Sequence, residues 1–292
     1  MKAKNILLYI LIISAVLGCS SDNSNDSYGK DFNKNLLKSV TVEKGGYEEL
    51  YKFENGFLTE ITYQSADGEN QNYKYEYDAE GKVIKQKYKS ATYSQSNLYE
   101  YDSQKRLIKT TVEGSDDYTT LEYTKNKVIV THYQVLFLDK PHTYVTELNT
   151  DDTGRILKTI AVKGFTDENG EENYSTTEFV YDTRGNIIKR ISSNRTNYID
   201  IEENEYDDKN NPYYYSFKKL NQSLYYVIYN TLSSPAIYYS PNNRTAIKYH
   251  GKTYVKDKML YNSENFPIKK THYIYEDGVN LNSEDEIILD YY

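Results

Sequence analysis

The chain has 292 residues, with 43 acidic against 35 basic side chains, a net charge of −8 and one cysteine. An acidic chain without a basic cluster is excluded from nucleic-acid binding, because phosphate contacts need Lys and Arg in excess. Tyrosine stands at 35 residues against 8 Phe and no Trp, and hydrophobic residues reach only 38%. A thick aliphatic core is therefore excluded, whereas sheets faced with amphipathic rings are favoured.

At the N-terminus, Lys2 and Lys4 precede an apolar run from Ile6 to Leu17, too short and wrongly flanked for a transmembrane helix. Val16-Leu17-Gly18-Cys19 follows. This resembles the bacterial lipobox, which implies cleavage before Cys19 and lipidation of its thiol. Residues 1–18 are thus expected to be a lipoprotein signal peptide. The only cysteine is Cys19, so no intrachain disulfide is possible. An acylated thiol would be the chain's membrane anchor, with several acyl chains needed for permanence. Residues 19–35, rich in Ser, Asn and Asp, have little apolar area to bury and read as a flexible tether. Their acidic start resembles the sorting tether of surface-exposed lipoproteins in Bacteroidota. The resemblance implies an outer-membrane lipoprotein, either periplasmic or facing the exterior.

Residues 36–292 read as one β domain built on a repeat. Tyr77-Asp78-Ala79-Glu80-Gly81-Lys82-Val83-Ile84-Lys85 returns at Tyr101–Lys109, at Thr150–Lys158 and most clearly at Tyr181–Lys189. Weaker copies start at Tyr206, Tyr239 and Tyr261. Asp78 and Asp182 can each accept a backbone N–H two residues on and so start a turn. Gly81, Gly154 and Gly185 then fit the left-handed residue that closes a three-residue hairpin loop. Asn210, Asn243 and Asn265 are the next best occupants, and Lys105 marks a strained copy. Asn55-Gly56, Lys125-Asn126 and Asp277-Gly278 read as two-residue hairpins.

Pairing across the first turn sets Asp78 opposite Lys82, Tyr77 opposite Val83 and Tyr75 opposite Lys85. One face then carries Tyr73, Tyr75, Tyr77, Val83 and Lys85, and the other Lys74, Glu76, Ile84 and Gln86. Turns recur about every two dozen residues, which allows two strands per unit and not the four of a propeller blade. Lys or Glu on both faces argues against a lipid-spanning barrel, whose outward face needs an apolar band. The expected fold is all-β, an antiparallel meander of repeated hairpins forming a long, curved, twisted sheet.

The Tyr-Asp-x-x-Gly-x-Ile line resembles the YD repeat of the RHS family and of small RHS-repeat-like lipoproteins of Bacteroidota, over most of residues 47–275. The resemblance implies a long curling sheet. The chain is too short to enclose a toxin cargo, and the family offers no catalytic residue to carry over.

No catalytic constellation stands out. His132, His142, His250 and His272 have no metal-ligand spacing, and no metal or cofactor is expected. Asp116-Asp117, Asp151-Asp152, Glu202-Glu203 and Asp207-Asp208 are pairs expected by chance among so many acids, although a facing pair across a cleft would allow glycoside hydrolysis. Residues 167–172 and 282–286 are acidic loops without the alternating spacing of a calcium loop. Aromatic clusters are more suggestive where the repeat weakens: Tyr213-Tyr214-Tyr215, Tyr225-Tyr226 and Tyr238-Tyr239, among Pro212, Pro235 and Pro241. Consecutive rings on a strand point to opposite faces, so one face here is expected to be exposed and able to bind a glycan or a protein. The functional expectation is a non-enzymatic, surface-facing binding lipoprotein. The alternatives are a structural or interaction subunit of an envelope complex and a carboxylate-dependent hydrolase.

Overall fold

Each Tyr-Asp-x-x-Gly line folds as its turn chemistry requires. The computed structural model describes residues 36–44, 47–65, 68, 70–135, 141–164, 175–194, 198–217, 239–276 and 278–292. Asp78 Oδ1 accepts the N–H groups of Glu80 and Lys82, both at 2.9 Å. Asp182 Oδ1 accepts those of Arg184 and Asn186 at 2.9 and 2.8 Å. Gly81, Gly154 and Gly185 hold φ of 79°, 83° and 93°, and Lys105 and Asn265 take the same left-handed conformation. Burial raises the carboxyls of Asp102, Asp151 and Asp182, but hydrogen bonds from their turns outweigh it and hold them below the usual range.

These turns join β1 (Leu37–Lys44), β2 (Tyr47–Glu54), β3 (Phe57–Ser65), β4 (Asn70–Tyr77), β5 (Val83–Lys89) and β6 (Ser94–Tyr101). Next come β7 (Leu107–Val112), β8 (Tyr118–Thr124), β9 (Lys127–Gln134), β10 (His142–Thr150), β11 (Ile156–Lys163) and β12 (Thr176–Tyr181). The last are β13 (Ile187–Ser193), β14 (Ile199–Asn210), β15 (Asn242–Tyr249), β16 (Lys252–Tyr261), β17 (Pro267–Tyr275) and β18 (Leu281–Tyr291). Each strand pairs antiparallel with its chain neighbours, and β18 returns to pair with β1, Val40 opposite Leu289. The meander is therefore as expected, but the open curved sheet is corrected: the 18 strands close into a barrel. Closure leaves no unpaired edge. Even-to-odd connections, with both ends of the ring, lie at one end of the barrel (the turn end). Odd-to-even connections lie at the other (the loop end).

The repeated tyrosine is a latch between hairpins. Tyr77 Oη donates to Leu58 O at 2.6 Å, Tyr101 to Val83 O at 2.7 Å and Tyr123 to Leu107 O at 2.8 Å. Tyr181, Tyr206 and Tyr291 do the same to Ile156, Ile187 and Pro267. The acceptor is in each case at the start of the preceding hairpin's second strand. Burial raises the Tyr77, Tyr101 and Tyr181 hydroxyls above their ordinary pKa, so each remains a donor. Arg106 and Arg155 lie over the rings of Tyr123 and Tyr181, 4.4 and 4.9 Å from the centroids.

The expected faces need one correction. Tyr77 does pair with Val83, but Tyr75 pairs with Gln86 and Glu76 with Lys85, because Ile84 is an extra bulged residue. The slip moves Gln86 to the tyrosine face and Lys85 outward. Equivalent bulges follow the turns at Leu107, Ile156, Ile187 and Pro267.

Burial tells inside from outside. Leu58, Val83, Leu107, Leu148, Ile187 and Leu289 are at most 3% exposed, so their face packs inward. The opposite face carries cross-strand ion pairs: Lys52–Glu60 at 2.8 Å, Lys158–Glu178 at 2.7 Å, Lys269–Glu286 at 2.5 Å, and Lys87–Glu76. The turn end is filled from within. The copy starting at Tyr206 is split: Asp207 Oδ1 accepts Lys209 N–H, as in other turns, but its second donor is Asn243 N–H. Residues 211–241 are inserted between them. The weak copies at Tyr206 and Tyr239 are thus two sides of one interrupted turn, and Asn210 and Asn243 are strand residues. From the insertion, α1 (Pro212–Phe217) reaches β1 and β3 on a distant part of the ring. Tyr213 and Tyr239 pack against the core. Ser240 is buried, donating to Tyr206 Oη and accepting Ile187 N–H.

Candidate functional site

Among the sequence-level candidates, Cys19, Tyr225, Tyr226 and Tyr238 lie outside the described residues. Tyr213, Tyr214 and Tyr215 are on α1, not on a strand. Asn211 Oδ1 caps that helix by accepting Tyr213 N–H at 3.1 Å, with Pro212 at its first position. Tyr213 and Tyr239 face the core, and Tyr213 lines a small cavity of about 30 Å³ with Arg244, Met259 and Lys270. Residues 282–286 belong to β18 rather than to a loop, with Asp285 buried.

The histidines are strand and turn residues. His132 Nδ1 bonds Thr119 Oγ1 at 2.8 Å, and burial lowers its pKa. His142 Nε2 meets Gly164 O at 2.6 Å. His250 sits in the turn between β15 and β16 with φ of 49°. Among the described residues no three His, Cys, Asp or Glu are grouped to hold a metal. The inward carboxylates of β14 and β16 are locked in ion pairs. Glu202 meets Arg190 at 3.0 Å and accepts Tyr249 Oη at 3.0 Å. Asp257 meets Lys270 at 3.1 Å and His272 Nδ1 at 2.5 Å. Burial raises Asp257, but Lys270 and His272 outweigh it and hold it far below the carboxylate range. Neighbouring Glu203 points outward to Lys189, 3.7 Å away, so the Glu202-Glu203 pair is divided by the sheet.

A different cluster is assembled on the inner wall of β3–β6 towards the loop end. Ile61 pairs with Tyr73, Tyr73 with Tyr88 and Tyr88 with Gln95, all inward. The Tyr73 ring lies 4.8 Å from Tyr88 and 5.9 Å from Tyr63, centroid to centroid. Beside the rings runs a chain of hydrogen bonds. Tyr93 Oη donates to Gln95 Oε1 at 2.5 Å, and Gln95 Nε2 to Asn97 Oδ1 at 2.9 Å. Asn97 Nδ2 donates to Gln86 Oε1 at 3.0 Å, and Gln86 Nε2 to Tyr75 Oη at 3.1 Å. Tyr99 Oη closes the chain on Gln86 Oε1 at 3.2 Å. It thus runs from exposed Tyr93 to buried Tyr75 and Tyr99. Burial raises the pKa of Tyr73, with Tyr88 adding to it, so this hydroxyl stays neutral. Sequence reasoning missed this wall because it set Gln86 on the outer face. The available signal was the aliphatic pair after each turn (Val83-Ile84, Leu107-Ile108, Ile156-Leu157, Ile187-Ile188), where strict alternation would place one.

No family model matches the chain, and no curated protein matches it. Among solved structures, it is similar to a porin-like protein from Bacteroides uniformis ATCC 8492, at 9% identity and a TM-score of 0.36, covering 89% of this chain and 98% of that one. It is also similar to a porin-like protein from Bacteroides vulgatus ATCC 8482, at 15% identity and a TM-score of 0.34, covering 88% and 99%. At these values the likeness transfers no residue role. The resemblance to the YD/RHS repeat family is corrected: the hairpins do not form a long open curling sheet but close into an 18-strand ring.

Proposed function

We propose that the chain is a lipid-anchored protein of the bacterial envelope whose barrel stands in water and acts as a non-enzymatic binding module, not as a conduit. The observation that carries this reading is the outer wall. Each Lys facing the middle of a bilayer costs about 2–4 kcal/mol, and the outward face presents a series of Lys–Glu pairs where a spanning barrel needs an apolar band. The core-packed Tyr213 and Tyr239 support a filled barrel. Inward carboxylates held by Arg190, Lys270 and His272 support binding over hydrolysis. The anchor is Cys19, and residues 19–35 join it to β1 at the turn end. The loop end, with its aromatic wall, is the binding end.

The test is fractionation in a bacterial host that lipidates envelope proteins. The unaltered chain is expected in the membrane pellet and Cys19→Ala in the soluble fraction. Retention of Cys19→Ala in membranes after carbonate and high-salt washes would show a self-inserting barrel and overturn the reading.

A further inference from the structure

The tyrosines of the inner face divide into two kinds. Those at the turn end, including Tyr77, Tyr101 and Tyr123, spend their hydroxyls on backbone carbonyls. Tyr73 and Tyr88, farther toward the loop end, pack against each other with ring planes tilted by 46° and no hydrogen bond from either hydroxyl to a described residue, and both rings are half-buried. Sheet closure explains the first kind. It does not require packed tyrosine rings, their hydroxyls unbonded among the described residues, beside a chain of side-chain amides.

We infer that the loop-end inner wall of β3–β6 is a binding site for a neutral carbohydrate chain, an assignment that rests on the binding-module reading above. The three rings, 4.8 and 5.9 Å apart between centroids and inclined to each other by 46° and 75°, form an angled aromatic surface against which the C–H faces of sugars pack. Gln95 and Asn97 each use one amide N–H inside the chain of hydrogen bonds and keep a second donor for sugar hydroxyls. The inward positions Ile61, Tyr63, Tyr73, Tyr75, Gln86 and Tyr88 are uncharged. The adjoining strand β2 places Glu49 inward, opposite Tyr63 and accepting Tyr51 Oη at 2.8 Å. A wall uncharged at its described inward positions and flanked by a carboxylate favours neutral sugars over acidic ones. An apolar peptide would leave the amides unpaired on burial.

The test uses the soluble Cys19→Ala chain on an array of neutral oligosaccharides (maltohexaose, cellohexaose, mannohexaose, xylohexaose) and acidic hexagalacturonate, followed by calorimetric titration of any sugar retained. Binding of at least one neutral hexasaccharide is expected. Tyr73→Ala and Tyr88→Ala should each weaken it by about tenfold or more. Tyr73→Phe keeps the ring and should weaken it by about two- to fivefold with an unchanged melting temperature. Thus a folding defect in the alanine variants cannot be mistaken for loss of the site. Three results would overturn the inference: no neutral sugar bound, hexagalacturonate preferred, or neutral-sugar binding indifferent to Tyr73→Phe and Tyr88→Ala. Each leaves the anchored-barrel reading intact, since that stands or falls on fractionation.

Discussion

Replacing Tyr101 with Phe removes one hydroxyl and keeps the ring. That hydroxyl donates to Val83 O at 2.7 Å, and Lys82 Nζ lies 5.4 Å from the centre of the ring. A hydrogen bond of this kind contributes about 0.5–1.5 kcal/mol net. Val83 is 1% exposed, so its carbonyl cannot readily turn to water, which moves the expected loss to about 1–2 kcal/mol. Tyr73→Phe is the matched control, since its hydroxyl has no hydrogen-bond partner among the described residues, and should stay within about 0.5 kcal/mol. With a urea m-value of roughly 2–3 kcal/mol/M for a domain of this size, Tyr101→Phe should lower the unfolding midpoint by roughly 0.5 M. Far-UV circular dichroism in urea reads both variants. Equal shifts for Tyr101→Phe and Tyr73→Phe would refute the division of tyrosines into latches and wall.

Gly185→Val should cost more than about 1 kcal/mol, because φ of 93° resists a β-branched side chain, whereas Gly185→Asn should be nearly neutral; thermal melts compare them. Gly81→Ala should be worse than Gly154→Ala by thermal melting, since the new Cβ would lie 2.7 Å from the Phe57 ring at Gly81 and meet nothing within 4 Å at Gly154. Asp102, Asp151 and Asp182 are held below their ordinary pKa. Their contribution is therefore complete above about pH 5 and is lost as pH falls below about 4 and through the folded pKa. A melting temperature flat from pH 7 to 3 would contradict it. Asp257→Ala, which strands Lys270 and His272, should cost about 3–5 kcal/mol in urea unfolding, more than Asp208→Ala at the exposed rim.

The local units were legible because their causes are local. Asp78 and Gly81 lie within one turn, and Tyr77 opposite Val83 follows from loop length alone. The bulge at Ile84 was not read, since alternation was carried through the aliphatic pair, and that slip hid Gln86 and the wall it joins. The Tyr213-Tyr214-Tyr215 run was read as strand, although Asn211-Pro212 is a helix-start signal. Closure was out of reach for a different reason. The pairing of Val40 with Leu289 joins opposite ends of the chain, and no local pattern encodes a partner so distant.

That seam has a consequence for biogenesis. Seventeen of the neighbouring pairings can form as the chain emerges, but β1 keeps one flank bare until β18, the eighteenth strand in chain order, arrives. Until then the growing sheet has two open edges able to recruit strands from other molecules. Closing a loop nearly the length of the chain is slow compared with adjacent hairpins. Loss of β18 by truncation would expose both edges together, and the expected phenotype is aggregation, not a barrel one strand smaller.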